Sequence, residues 1–327
     1  MASKIELVGL GASTLDRFIV VPAFPIGREV QEAIRSTTDG GGPVSTALAT
    51  AGRLGATAAI IDRIGNDDVG ATIVEDFHKY NVYTDYVDSI DGAKSGVATI
   101  LVDHTNGNRA VFFERSTAPE LTGADMVGPV EDLITDAMVF HYNGRHKEAI
   151  PVAINIAKAH KVIVSLDGGA QRYDERMDQL ARRTDLCIVA RDFGENYTGT
   201  TDLMSACHIM QKRGATIAGI TAGSAGSYFV WPDGTEYRCE PYKQEMIVDN
   251  TGCGDSFHGA FLYKLIEELK KIGTDKSPIQ LLSLLTHSQL ESCVRFASAV
   301  GSINTQTLGG RSGLPTLEQV MIFMNQE

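Results

Sequence analysis

Short β-rich apolar runs alternate with helical stretches along most of this 327-residue chain. Strands are expected at Ile5–Val8, Ala58–Ile61, Met138–His141, Val162–Leu166, Leu186–Val189, Thr216–Ile220 and Ser227–Trp231. Helices are expected at Lys147–His160, Leu203–Arg213, Ser256–Lys271 and Leu281–Val300. Several of the strands are continuously apolar, as when helices cover both faces of a sheet. Strand–helix alternation predicts an α/β fold with a doubly wound, mostly parallel sheet. In such sheets ligands bind beyond the carboxyl ends of the strands. The expectation is a single domain over residues 1–327, with no repeat or long linker.

One segment breaks the alternation. Val97–Asp103 and Arg109–Glu114 are strand-like and flank a turn containing Asn106-Gly107, which predicts a β-hairpin. A second extended piece runs from Phe18 to Val21 and resumes near Arg28–Arg35. A plain surface hairpin is one reading of these insertions.

The chemistry concentrates in Asp249-Asn250-Thr251-Gly252-Cys253-Gly254-Asp255, followed by the apolar spacing Phe257, Ala260, Phe261, Leu265, Leu269. Glycines let consecutive N–H groups turn toward one point, and a helix N-terminus adds unpaired donors and partial positive charge. Together they form an anion site with a carboxylate fixed beside it. That pairing makes sense if Asp255 takes or orients a proton while phosphoryl charge develops nearby. The alternative is a glycine turn with an Asp cap. A second cluster, Asp39-Gly40-Gly41-Gly42-Pro43, precedes helically spaced Val44, Ala47, Leu48, Ala51 and Leu54 and reads as a helix start. It is not a P-loop, because no Gly-Lys-Ser or Gly-Lys-Thr follows.

The two clusters, in this order, resemble the PfkB (ribokinase-like) carbohydrate kinases over nearly the whole chain. Further matches are Gly9 to Asp16, Gly52-Arg53-Leu54-Gly55, Gly65-Asn66-Asp67-Asp68-Val69-Gly70, Thr221 to Gly226 and Gly309 to Pro315. Within the family, Gly40–Pro43, Phe257–Ala260, Arg295–Ser298 and Gly309–Pro315 look most like the sulfofructose kinase branch. An asparagine of that branch is replaced by Phe113. The resemblance implies a three-layer αβα core. It also implies that the insertions near 16–35 and 95–115 form a small sheet that lids the sugar site and pairs two subunits as a homodimer. The implied reaction is ATP-dependent phosphorylation of a hydroxyl on a sugar or sugar derivative, with Mg2+ and a monovalent cation such as K+.

The resemblance also assigns roles. Asp255 is the base, and the N–H groups of Gly252, Cys253 and Gly254 bind the migrating phosphoryl oxygens. The Cys253 thiol replaces an alanine and has no expected part. Asp16, Gly41, Gly42 and Thr46, the last at a usual asparagine position, would contact the sugar. Arg28 and Arg145 are candidates for an anionic head group, since guanidinium suits phosphate, carboxylate or sulfonate. Thr221, Gly223 and Gly226 match the nucleotide loop. The family's Asn-x-x-Glu is absent, with Ala190 and Phe193 at its ends, and Glu195 would substitute. Asp249 and Thr251, with carbonyls around Gly309–Gly313, resemble the monovalent-cation loop, although its late serine is Gly313 here. A nucleoside kinase of the same fold and a non-catalytic sugar- or nucleotide-binding regulator are the competing readings.

Composition narrows the rest. A formal net charge of −12 argues against a nucleic-acid surface but leaves room for a locally basic pocket. No apolar run approaches the length of a membrane span, and the N-terminus lacks signal-peptide character. Five cysteines without CxxC spacing read as reduced residues of a cytoplasmic protein. Among the scattered histidines, His141 and His146 suit structural or polar-site roles better than metal ligation.

Overall fold

The computed structural model describes residues 4–25, 27, 30–105, 108–244, 246–273 and 275–326. Arg28 and the Asn106-Gly107 turn lie outside them. The strands are β1 (Leu7–Leu10), β2 (Thr14–Val21), β3 (Arg35–Gly41), β4 (Ala58–Gly65), β5 (Val82–Ile90), β6 (Gly96–Asp103), β7 (Arg109–Glu114), β8 (Val139–Tyr142), β9 (Ile163–Gly168), β10 (Leu186–Ala190), β11 (Ile217–Thr221), β12 (Ser227–Val230) and β13 (Glu236–Cys239). The helices are α1 (Pro43–Leu54), α2 (Asp68–Lys79), α3 (Pro129–Asp136), α4 (Ala149–Ala159), α5 (Glu175–Ala181), α6 (Arg191–Thr198), α7 (Leu203–Lys212), α8 (Cys253–Ile272), α9 (Pro278–Leu282), α10 (His287–Asn304) and α11 (Leu317–Asn325).

Nine strands form one sheet in the order β13-β12-β11-β10-β9-β8-β1-β4-β5. It is parallel from β11 to β5, and β12 and β13 add an antiparallel edge. Successive residues of β1 point to opposite faces. Leu7 belongs to the core on the side of α1, α8 and α10, whereas Val8 and Leu10 belong to the core on the side of α3, α4 and α7. This is the expected three-layer arrangement. Strand order reverses between β1 and β8, because β4 and β5 extend one way and β9 to β11 the other. The carboxyl ends of β1, β8 and β9 therefore open a crevice at the switch point.

Four strands form a separate small sheet, β3-β2-β6-β7. The hairpin of β6 and β7 is as expected. The partner of β2 is not. Extended structure was expected near Arg28–Arg35, but the strand runs from Arg35 to Gly41, and Gly40 and Gly41 lie within it rather than in a helix-start turn. Pairing explains the shift: Asp16, Leu15 and Thr14 face Asp39, Gly40 and Gly41 across the ladder. Only Gly42 remains as the N-cap of α1, with Pro43 as its first residue.

The helix expected over Leu281–Val300 is two helices. The first ends at Leu282, and Thr286 starts the second: its hydroxyl accepts from Gln289 N, and the Gln289 side chain accepts from Thr286 N. This capping box starts a new helix at His287. Strands β5 and β13 were missed because both are sheet edges with a largely polar exposed side. No helix among the described residues is long and apolar enough to cross a membrane.

Candidate active site

Helix α8 supplies the anion site and its acid together. Gly252 is the N-cap at φ +71°, and no side chain caps the helix. A Cβ at Gly252 would lie 2.6 Å from the Gly310 carbonyl oxygen, so glycine is required by both conformation and contact. Above Gly254 nothing stands within 4 Å of where a side chain would begin. First-turn amides with open space before them form an anion cradle. Asp255 is the third residue of this helix.

The Asp255 carboxyl is held above the ordinary carboxylate range. Burial is the main cause and the Asp167 carboxylate the second, opposed by Arg172, His258 and Arg311. Part of its surface reaches solvent, but protein crowds it closely enough for desolvation to dominate. Asp167, the last residue but one of β9, is raised in the same way by burial, with Arg172 opposing. His258, one turn after Asp255, brings Nε2 to 3.5 Å from Asp167 Oδ1. Burial lowers His258 to about 4, against the pull of Asp255. The His141 ring lies tilted beside that of His258, 5.6 Å between centroids, and bonds Ser165 at 3.0 Å; burial holds it far below its ordinary value, with His258 adding to the effect. Both imidazoles are neutral near pH 7, so this cluster is acidic. The Cys253 thiol is raised by burial and then by Asp255, and stays protonated.

Asp16 lies on β2, an inner strand of the small sheet, between Asp39 of β3 and Ala98 of β6. Burial pushes it to about 6, and Asp39 and Asp255 push the same way against a 3.0 Å hydrogen bond from Thr14 and the charge of Arg311. Gly41 makes room for it: a Cβ there would sit 2.1 Å from Asp16 Oδ1. Asp16, Gly41, Gly42 and Asp255 are thus brought to one place by β2, β3 and α8.

Arg311, a residue of the Gly309–Pro315 segment with no role assigned from sequence, organises this place. Its side chain is 1% exposed. It reaches Asp76 Oδ2 at 2.6 Å, the Gly41 carbonyl at 3.0 Å and Thr46 Oγ1 at 3.2 Å, and it lies over the Phe77 ring. Thr46 is buried and faces this guanidinium. Asp39 Oδ2 accepts from Arg311 N at 2.7 Å and Ser312 N at 2.8 Å, joining the tip of β3 to the 309–313 loop. The clue in the sequence was the acid immediately before the glycine cluster.

The remaining candidates scatter more. Arg145 follows the end of β8 and pairs with Glu120 at 3.1 Å. Its Nε is buried without a hydrogen-bond partner among the described residues. His146 bonds Asp62 at 2.9 Å and accepts from Leu121 N, a structural role. Thr221 ends β11, and Gly223 (φ +54°) and Gly226 (φ +82°) shape the turn into β12. Glu195 is partly exposed on α6. Phe193 is buried against Tyr173 and Tyr197 and belongs to the core. Asp249 and Thr251 contact Arg109 of β7, a residue given no role from sequence.

Comparison with known proteins identifies the family. The sequence profile of the pfkB family carbohydrate kinase matches residues 4–317. The chain is 26% identical over 328 residues to a ribokinase of Staphylococcus aureus, covering 98% of this chain and 99% of that one. It is 22% identical over 342 residues to a 5-dehydro-2-deoxygluconokinase of Listeria monocytogenes, covering 99% and 97%. The fold superposes on Arabidopsis thaliana ribokinase, complexed with ribose and ATP, with a TM-score of 0.80 at 21% identity, over 98% of this chain and 99% of that one. The chain belongs to the PfkB family of carbohydrate kinases, and ATP-dependent phosphorylation of a sugar hydroxyl is its class of reaction.

Proposed function

We propose that this kinase phosphorylates a sugar or sugar acid bound between Asp16, Gly41, Gly42 and the 143–145 turn, with Asp255 as general base. The observation that carries this reading is the convergence of the Asp255 and Asp16 carboxylates beside an uncapped helix N-terminus. Asp16 accepts hydrogen bonds from sugar hydroxyls and orients one of them toward Asp255. Asp255 takes that hydroxyl's proton. The hydroxyl oxygen bonds to the γ-phosphorus as the bond to the bridging oxygen breaks, and ADP leaves. The N–H groups of Gly252, Cys253 and Gly254 meet the phosphoryl oxygens, where fixed dipoles stabilise developing charge. Thr221, Gly223, Gly226 and Glu195 face the nucleotide, which arrives as MgATP.

The acceptor carries an anionic group. Support comes from Arg145 at a strand's carboxyl end and from the sugar acid in the name of the Listeria relative. A sulfonated ketose of the sulfofructose kinase branch is one member of that class. Arg28 lies outside the described residues. The residues 1–327 act as one catalytic unit, with the small sheet as its lid. Strand β7 exposes Val111, Phe112 and Phe113 at 61%, 58% and 52%. Consecutive exposed residues leave both faces of this edge strand uncovered, which suits pairing with a second copy in the cytoplasm.

The test is ADP release with MgATP across aldoses, ketoses, aldonates, sulfosugars and nucleosides, with phosphorus NMR of the product. Turnover on an anionic sugar supports the reading. Turnover confined to nucleosides, or nucleotide binding without turnover on any acceptor, overturns it.

A further inference from the structure

A monovalent cation at Asp249 and Thr251 does not fit the groups present. Asp249 has a side chain only 2% exposed, and a buried carboxylate needs a compensating charge. That charge is already there. The guanidinium of Arg109, at the start of β7, lies 2.6 Å from Asp249 Oδ1 and also contacts Thr251 Oγ1 and Asn250 Oδ1. Asp249 Oδ1 further accepts from Thr251 N at 2.9 Å, and Oδ2 accepts from Gly309 N at 3.0 Å. The neighbouring carbonyls are engaged as well: Gly310 accepts from Asn304 Nδ2 at 3.0 Å, and Arg311 from Tyr80 Oη at 3.1 Å. At Gly313, a Cβ would lie 2.8 Å from the Asn304 carbonyl oxygen, so a serine hydroxyl has no room.

We infer that Arg109 takes the place of a metal cation, supplying from the small sheet the positive charge that holds the 249–251 segment in position before the anion site. Arg109 is a positioning residue. It acts through Asp249 and Thr251 on the backbone that leads into Gly252–Gly254. The inference rests on the kinase reading only for its kinetic arm. Two consequences distinguish it from a plain surface ion pair. The wild-type chain does not respond to K+, and the anion site is ordered only when the small sheet delivers its arginine.

The experiment compares the wild-type chain, Arg109→Ala and Arg109→Lys at constant ionic strength in KCl, NaCl or tetramethylammonium chloride. Melting temperature is read first, then turnover with MgATP and the best acceptor. In the wild type, both are the same in all three salts. In Arg109→Ala, kcat falls roughly tenfold or more while KM for ATP changes less. The variant's melting temperature falls in all three salts, because the buried Asp249 carboxylate loses its compensating charge, and added guanidinium restores part of its stability and turnover. Arg109→Lys keeps the charge and stays K+-independent. A wild-type chain stabilised or activated by K+ over tetramethylammonium overturns the inference, even if Arg109→Ala does not fold. So does an Arg109→Ala variant that matches wild type in every salt. If no acceptor turns over, the kinase reading fails and the melting comparison still decides the role of Arg109.

Discussion

Arg311 and Asp76 form a 2.6 Å ion pair with the arginine side chain 1% exposed, and the same guanidinium holds the Gly41 carbonyl and Thr46. A buried pair contributes little by itself, because desolvation offsets its attraction. Removing one partner is costly, since the other charge stays buried and uncompensated. Arg311→Ala is therefore expected to destabilise the chain by about 3–5 kcal/mol. Asp76→Asn should cost less, and the double variant less than the sum of the two. Urea unfolding of all three variants checks this; additive losses would show that the pair is not coupled.

Residues close in sequence were the legible ones. The start of α8 carries its glycines, acid and apolar spacing within about twenty residues, so helix, anion site and Asp255 could be placed together. Helix α1 was equally plain after Pro43. What joins these pieces is remote: Arg311 meets Asp76 across 235 positions and Arg109 meets Asp249 across 140. A buried arginine and a surface arginine look alike in one sequence. The polar edge strand β5 was hidden for a related reason, since one uncovered side weakens its apolar signal. The break before His287 was legible in principle, because Thr286 and Gln289 have capping-box spacing, but the apolar run across it masked the stop.

Raised carboxyl groups give the site a pH signature. Asp255 must be ionised to accept a proton, and its neighbours hold it above the ordinary range. The acid limb of kcat/KM should lie above that of an isolated carboxylate. Asp167→Asn removes the second cause and should move the limb down by roughly one pH unit. Arg172→Ala removes an opposing charge and should move it up. Stability responds in the other direction from the usual acid. Asp16 has a folded value near 6 against 3.8 unfolded, so the folded chain holds the extra proton between them. Its contribution is present at low pH and lost as pH rises through about 6. Asp16→Asn should raise the melting temperature more at pH 8 than at pH 4, and equal effects at both would remove Asp16 from this account.

Arg145 already has a partner in Glu120, so an anionic acceptor competes with that carboxylate. Arg145→Ala should raise KM for an anionic sugar by about 10- to 100-fold, from loss of one charge-assisted contact, with kcat less affected. Glu120→Gln should lower the same KM, because the guanidinium is released to the substrate. A neutral sugar should be indifferent to both changes. Matching kinetics of wild type and Arg145→Ala on the anionic acceptor would place its recognition elsewhere.

Asp255 contributes to turnover more than to binding. It stands at the third position of α8, where the helix end attracts anions, yet its environment disfavours its own charge. A simple cap would accept from the helix amides, and no side chain caps this helix. Asp255→Asn keeps the size and hydrogen-bonding capacity but removes the basic oxygen. General-base assistance is worth about 10²–10⁴-fold, so kcat should fall by that order. Nucleotide affinity should hold steady or improve, because a negative charge beside the phosphates is gone. Measuring kcat and ATP binding on the same protein separates the roles. Near-wild-type turnover would remove Asp255 from the reaction, and equal loss of turnover and binding would make it a structural residue of the helix start.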